Sequence, residues 1–170
     1  MRISKRTFLA LVAFGLPALV QAGSTMNIQV DKGSVSIEIV PELSKPEVKV
    51  VKSAECASES EVHESAGMVK VTHPDNCQRG HHISIRVGSS TAVDVALKAG
   101  NMTLKNSAKA FKAFSEVKSV VLAGSIFSTV PGLVPVRTEN QAGATAVYKN
   151  LKDSSKESLS LMVQAGMIHL

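Results

Sequence analysis

Ala-Gly pairs recur along this chain at near-even intervals. Past residue 23 they fall at Ala66-Gly67, Ala99-Gly100, Ala123-Gly124, Ala142-Gly143 and Ala165-Gly166, the last four separated by 24, 19 and 23 residues. A period in that range is the mark of stacked supersecondary repeats. Gly33 holds a similar place in VDKGSVSIEIV. The stretches between are strand-like: Val35, Ile37 and Ile39 alternate with Ser34, Ser36 and Glu38, and HISIRV and AVDVALKA do the same with Ile83, Ile85, Val87 and Val93, Val95, Leu97. Such alternation gives each strand one apolar and one wetted face. The expectation is an all-β fold, a β-solenoid with coils of about 20 residues, each holding two or three short strands. Gly100, Gly124 and Gly143 would then sit at equivalent corners, where positive φ is allowed and the next coil stacks closely. The alternative is an antiparallel β-sandwich whose turns happen to contain glycine.

Turn signals separate the runs, in PELSKPE, HPDNCQRG and VPGLVP. NSAKAFKAFSEVKSV departs from the pattern: Phe111, Phe114 and Val117 fall three apart behind Ser107, a candidate cap, so a short helix is an option near 107–118. The run SLSLMVQAGMIHL at Ser158 to Leu170 reads as one more copy of the unit and the last coil, with Ser158, Ser160 and Gln164 turned outward. A last coil ends in an open edge, which leaves edge-strand self-association as an option.

The first 22 residues have a separate explanation. Arg2, Lys5 and Arg6 precede the short apolar run TFLALVAFGLPALV, and Val20-Gln21-Ala22 offers a small-residue boundary. This is the pattern of a secretory signal peptide, giving 1–22 as leader and 23–170 as one domain. The run is too short for a membrane span, which takes roughly 20 apolar residues, and none follows it. Removing three basic and no acidic residues lowers the formal net charge from +5 to about +2. Past the leader the rings are Phe111, Phe114, Phe127 and Tyr148 alone, too few for the stacking platforms of single-stranded nucleic acid or the girdles of an outer-membrane barrel. Nucleic acid is not an expected partner, and the expected location is the periplasm or cell surface.

Several segments carry a family likeness. SAGMVKVTHP, HHISIRVGSSTAVDVALKAGNMTLKN, AVYKN and the C-terminal SLSLMVQAGMIHL together resemble the bacterial putative-adhesin family of unknown function, whose exported domains form single-chain β-solenoids. The likeness runs from about Met26 to Leu170. It implies a solenoid fold and an adhesin-like role, and it supplies no catalytic residues. The frequent Gly-Asp turn of that family is replaced here by Gly100-Asn101, Gly124-Ser125, Gly143-Ala144 and Gly166-Met167.

Cys56 and Cys77 are the two cysteines of a chain expected to meet an oxidising compartment, and a disulfide between them is expected. Around them lie His63, His73, His81 and His82. HPDNCQRGHH brings imidazoles, the Cys77 thiol and the Asp75 carboxylate within ten residues, which suits zinc or copper in donor type, although a disulfide would withdraw both thiolates. The spacing matches no zinc motif, so the competing reading for His73, Asp75, His81 and His82 is a solvated polar turn. Lys105, Lys109, Lys112 and Lys118 give the middle segment a basic flank, either a plain solvated face or a contact for anionic lipid headgroups or acidic glycans. No nucleophile elbow and no phosphate loop is present. The expected function is a non-catalytic envelope binding or scaffold protein whose ligand, glycan or protein, is not written in the sequence. The alternatives are a metal-binding envelope protein using the histidine turn, and a carbohydrate-active enzyme.

Overall fold

The structure, a computed structural model, describes residues 25–51, 53, 56, 58–106, 108–127 and 158–170, and the backbone of 137–141 and 143–148. The leader expected at 1–22, Ser107, Ala142 and VPGLVP lie outside the described residues. Ten strands and one helix follow in order: β1 (Met26–Ile39), β2 (Glu47–Val51), β3 (Glu61–Ser65), β4 (Met68–Thr72), β5 (His82–Val87), β6 (Val93–Lys105), α1 (Ala108–Val117), β7 (Ser119–Phe127), β8 (Arg137–Gln141), β9 (Gly143–Tyr148) and β10 (Ser158–His169). All ten strands join one mixed sheet, in line with the all-β expectation.

The centre of the sheet is parallel and in register. β1 pairs with β6 along nearly its whole length, and β10 continues the stack on the far side of β6. Opposite β6, the first half of β1 pairs with β4 and its second half with β5, so these two short strands together make one rung. β7 pairs in parallel with the other side of β10. Four antiparallel strands flank this core: β3 on β4, β2 on β5, and the β9–β8 hairpin on β7.

In-register stacking converts sequence alternation into columns. Val69, Ile28, Val95, Leu161 and Leu122 occupy one register row across five strands, and all five are buried. Ile83, Val35, Met102 and Ile168 form a second buried row beyond the glycines. Burying each such side chain is worth roughly 1.5–3 kcal/mol, which makes these rows the main source of stability. Inward positions in β1 run 28, 30 and then 35, 37, 39, so the alternation slips by one residue across the glycine. The same slip occurs between Leu97 and Met102 and between Val163 and Ile168. At the slip Gly33, Gly100 and Gly166 share one row with φ of +128°, +131° and +145°. A Cβ at Gly100 would lie 1.9 Å from the Gly33 carbonyl oxygen, and one at Gly166 would lie 1.6 Å from that of Gly100. Both the backbone conformation and the close approach require glycine there.

The stack differs from the expected solenoid in its order. A coil-upon-coil solenoid adds each rung beside the one before it, whereas here the sheet runs β1-β6-β10-β7. The C-terminal strand is therefore inserted between β6 and β7 and is not the open end of the stack, which overturns the expectation of an edge there. The chain crosses from β6 to β7 through α1, and β10 pairs in parallel with both strands, so it takes the place between them. The glycines are not all equivalent either. β10 has four residues, Val163 to Gly166, where β7 has Gly124 alone, so Gly124 faces the Val163 carbonyl instead of Gly166. Gly143 stands at the β8–β9 hairpin opposite Gln141, and Gly67 at the β3–β4 hairpin.

α1 realises the helix option, with Phe111 and Phe114 buried. Val117 is 49 % exposed. Two successive three-residue steps drift around a helix of 3.6 residues per turn, so the third position leaves the buried face. The next residue takes the inward place: Lys118 is 2 % exposed, with its ammonium donating to the carbonyls of Gly88 and Thr91 beside the Phe114 ring.

Candidate functional site

The densest meeting of reactive side chains is the loop between β4 and β5, held against the corner of β1. Turn bonds shape this loop: Cys77 N–H donates to the Pro74 carbonyl at 3.0 Å, and Gly80 N–H to that of Cys77 at 3.4 Å. Gly80, at φ +71°, packs so closely on Gly33 that a Cβ would lie 2.7 Å from the Gly33 Cα. The expected disulfide joins Cys56 to Cys77, tying this loop to the segment after β2, and both residues are buried. A loop of this length, closed covalently, typically stabilises by about 3 kcal/mol through the unfolded chain.

His73 directly follows β4, under the loop. Its backbone N–H donates to Asp31 Oδ2 at 2.9 Å and its Nδ1 bonds Asp31 Oδ1 at 2.6 Å, while its Nε2 is buried without a partner among the described residues. Burial works against the Asp31 carboxylate, but the side-chain and backbone hydrogen bonds from His73 and the Lys32 N–H outweigh it and hold Asp31 below the usual carboxylate range. His81 is 1 % exposed, and its ring centroid lies 5.3 Å from that of His73. Its Nδ1 accepts the Ser53 N–H at 3.0 Å and its Nε2–H donates to the Ser58 carbonyl at 3.1 Å, which fixes the neutral tautomer. The donor atoms of Cys56, Cys77 and His81 lie within 4.8 Å of one another.

His82 points to the other face of β5. Its two ring nitrogens meet the hydroxyls of Ser34 at 2.8 Å and Ser36 at 3.0 Å on β1. Burial lowers its pKa, and the Lys105 charge lowers it further. Asp75 is exposed in the turn after Pro74, and His63 lies exposed on β3 beside Glu61. Of the four ligands expected in the histidine turn, the structure thus brings together His73 and His81, and it separates His82 and Asp75 from them. The alternation of strand faces accounts for the parting of His81 from His82. Asp31, the partner of His73, went unnoticed in the sequence, since the two are 42 residues apart and no local pattern joins them.

The lysine flank is also divided. Lys109 and Lys112 are exposed on α1, but Lys118 is buried as described, which removes it from any surface contact. Lys105 stands opposite Glu38 in a charge row that continues through Arg86 to Glu47 on neighbouring strands. Arg86 bonds Glu47 at 2.7 Å and reaches Glu38 at 3.4 Å.

Elsewhere the wetted side of the stack forms an open hollow of about 480 Å³ across β4, β1, β6 and β10, lined by Gln29, Asp31, Lys70, Thr72, Lys98 and Gln164 among others. No described helix is long and apolar enough to cross a membrane.

No family model matches the chain, and no curated protein matches it. Among solved structures it is similar to a crystal structure of a "putative cell adhesion protein" from Clostridium sporogenes, at 9 % identity and a TM-score of 0.35, over 86 % of this chain and 92 % of that one.

Proposed function

We propose that this chain is an exported, non-catalytic binding module of the cell envelope, adhesin-like in role, and that it holds a polymeric glycan across its stacked strands. The carrying observation is the open hollow on β4, β1, β6 and β10. Because these strands are in register, Gln29 stands directly beside Lys70, and Lys98 and Gln164 approach the same hollow from β6 and β10. Rungs about 4.8 Å apart repeat donors and acceptors along a line. Amides, ammonium groups and a carboxylate in a shallow groove suit an extended, hydroxyl-rich chain better than a compact apolar ligand. The disulfide is compatible with an oxidising compartment and the exported address the leader implies.

The test is retention of the mature chain, 23–170, on insoluble cell-wall glycans, followed by titration with soluble fragments. Saturable binding, weakened about tenfold or more in the Lys98→Glu, Gln164→Glu double variant at unchanged melting temperature, is expected. No retention on any envelope polymer, or equal binding by the double variant, contradicts the proposal. Release of new reducing ends from the bound glycan would replace it with the carbohydrate-active enzyme.

A further inference from the structure

We infer that Cys56, Cys77 and His81 form a latent site for a thiophilic cation, zinc(II) or copper(I), closed while the disulfide stands and opened by its reduction, with His73 as the adjoining fourth ligand. Three observations carry this. The sulfurs and a His81 nitrogen already lie within 4.8 Å of one another in a buried pocket. A tetrahedral cation with bonds of about 2.0–2.3 Å needs such donors under about 4 Å apart, a small adjustment once the sulfurs separate.

Both histidines also hold the outer hydrogen bonds that metal-bound imidazoles characteristically make. His81 donates Nε2–H to the Ser58 carbonyl, which leaves the Nδ1 lone pair as the one to offer. That nitrogen now accepts the Ser53 N–H, and ligation exchanges this bond for the metal. His73 is held at Nδ1 by the Asp31 carboxylate, so in the neutral ring the lone pair lies on Nε2. The third observation is that this Nε2 is buried with no partner among the described residues, a situation that folded proteins seldom leave unanswered. The ligand set differs from the one read in the sequence, since Cys56 and Cys77 take the places of His82 and Asp75.

Opening proceeds by thiol–disulfide exchange with a dithiol reductant. A reductant thiolate attacks one sulfur of the cystine, the S–S bond breaks, and a mixed disulfide forms. The second reductant thiol displaces the protein sulfur and leaves as the reductant's own disulfide. Two electrons and two protons thereby reach Cys56 and Cys77. Binding a cation then deprotonates both thiols and releases two protons to solvent.

The test is cobalt(II) and zinc(II) titration of the mature protein, oxidised and phosphine-reduced, without oxygen. The reduced wild type should bind one equivalent of cobalt with thiolate-to-metal charge-transfer bands, zinc should displace it, and the oxidised protein should show neither band. His81→Ala should weaken binding about tenfold or more, and His82→Ala should leave it unchanged. Should reduction loosen the fold, zinc is expected to raise the melting temperature of the reduced wild type and to shield both thiols from alkylation. Absence of thiolate bands together with no thiol shielding overturns the inference. So does binding that depends on His82 and not on His81.

Discussion

Asn106 shows how much a single polar side chain does at the end of a strand. It has φ of 146°, the one positive value among the described non-glycine residues. Its Oδ1 accepts the Ile39 N–H at 2.8 Å and its Nδ2 donates to the Ile39 carbonyl at 3.1 Å, so the side chain completes the ladder after the β6 backbone has turned toward α1. Lys118 is a comparable device that carries a charge, filling an inward position and donating to two loop carbonyls, those of Gly88 and Thr91. Titratable groups at this scale leave a trace in stability. His82 has a pKa below its ordinary 6.5, so folding favours its neutral form. The stability this provides is complete above about pH 6.5 and is lost as pH falls through the folded value. Asp31 lies below its ordinary 3.8, so its contribution is present above that value and is lost only in stronger acid, as pH falls through its own folded value. In urea unfolding at a series of pH values, His82→Gln should flatten the slope below neutrality, and Asp31→Asn should flatten the acid limb alone. Parallel profiles for wild type and His82→Gln would show that His82 titrates alike in both states.

At the scale of elements the glycine corners decide which strands stack. Gly100→Ala would place a methyl against the Gly33 carbonyl at a φ that L-residues avoid, and Gly67→Ala would meet only the Thr25 carbonyl at 3.5 Å in an open hairpin turn. Unfolding measurements should give a loss of about 1 kcal/mol for Gly67→Ala, from backbone conformation alone. Gly100→Ala should lose clearly more, about 3 kcal/mol or above, because strain and collision add. Equal losses would mean that the stack does not depend on close approach. Much at this scale was legible in the sequence. GSVSIEIV, HISIRV and AVDVALKA alternate because one face of each is buried, and the apolar positions the alternation marks are all buried; Ser36, on the face expected to be wet, is buried as well, where it bonds His82. The helix was legible in its phenylalanines, although three-residue spacing put Val117 on the wrong face and hid Lys118. The cystine was legible from the count of cysteines and the oxidising compartment the sequence led one to expect. Gly124 and Gly143 shared the Ala-Gly signature with Gly100 and Gly166 while doing different work, because glycine satisfies a corner, an offset crossing and a hairpin alike.

At the scale of the whole molecule, strand order is what the sequence could not convey. Alternating apolar strands of similar length and glycine position fit beside one another in many orders, so the pattern of β10 is as compatible with the end of a stack as with its middle. Its place between β6 and β7 follows from long-range pairing of Leu159 to His169 with strands laid down far earlier in the chain. The same in-register centre forms the polar hollow on one face and, through the Gly33 corner, supports the cystine–histidine loop, so both candidate sites depend on it. Amide hydrogen exchange resolved along β10 tests this arrangement most directly. A strand paired on both sides has partners for successive amides, whereas an edge strand leaves every second amide open to solvent. The central insertion requires Ser160, Leu161 and Met162, paired on both sides, all to exchange among the slowest amides of the protein. Alternating fast and slow exchange along those three residues would place β10 at an edge and contradict the sheet order described above.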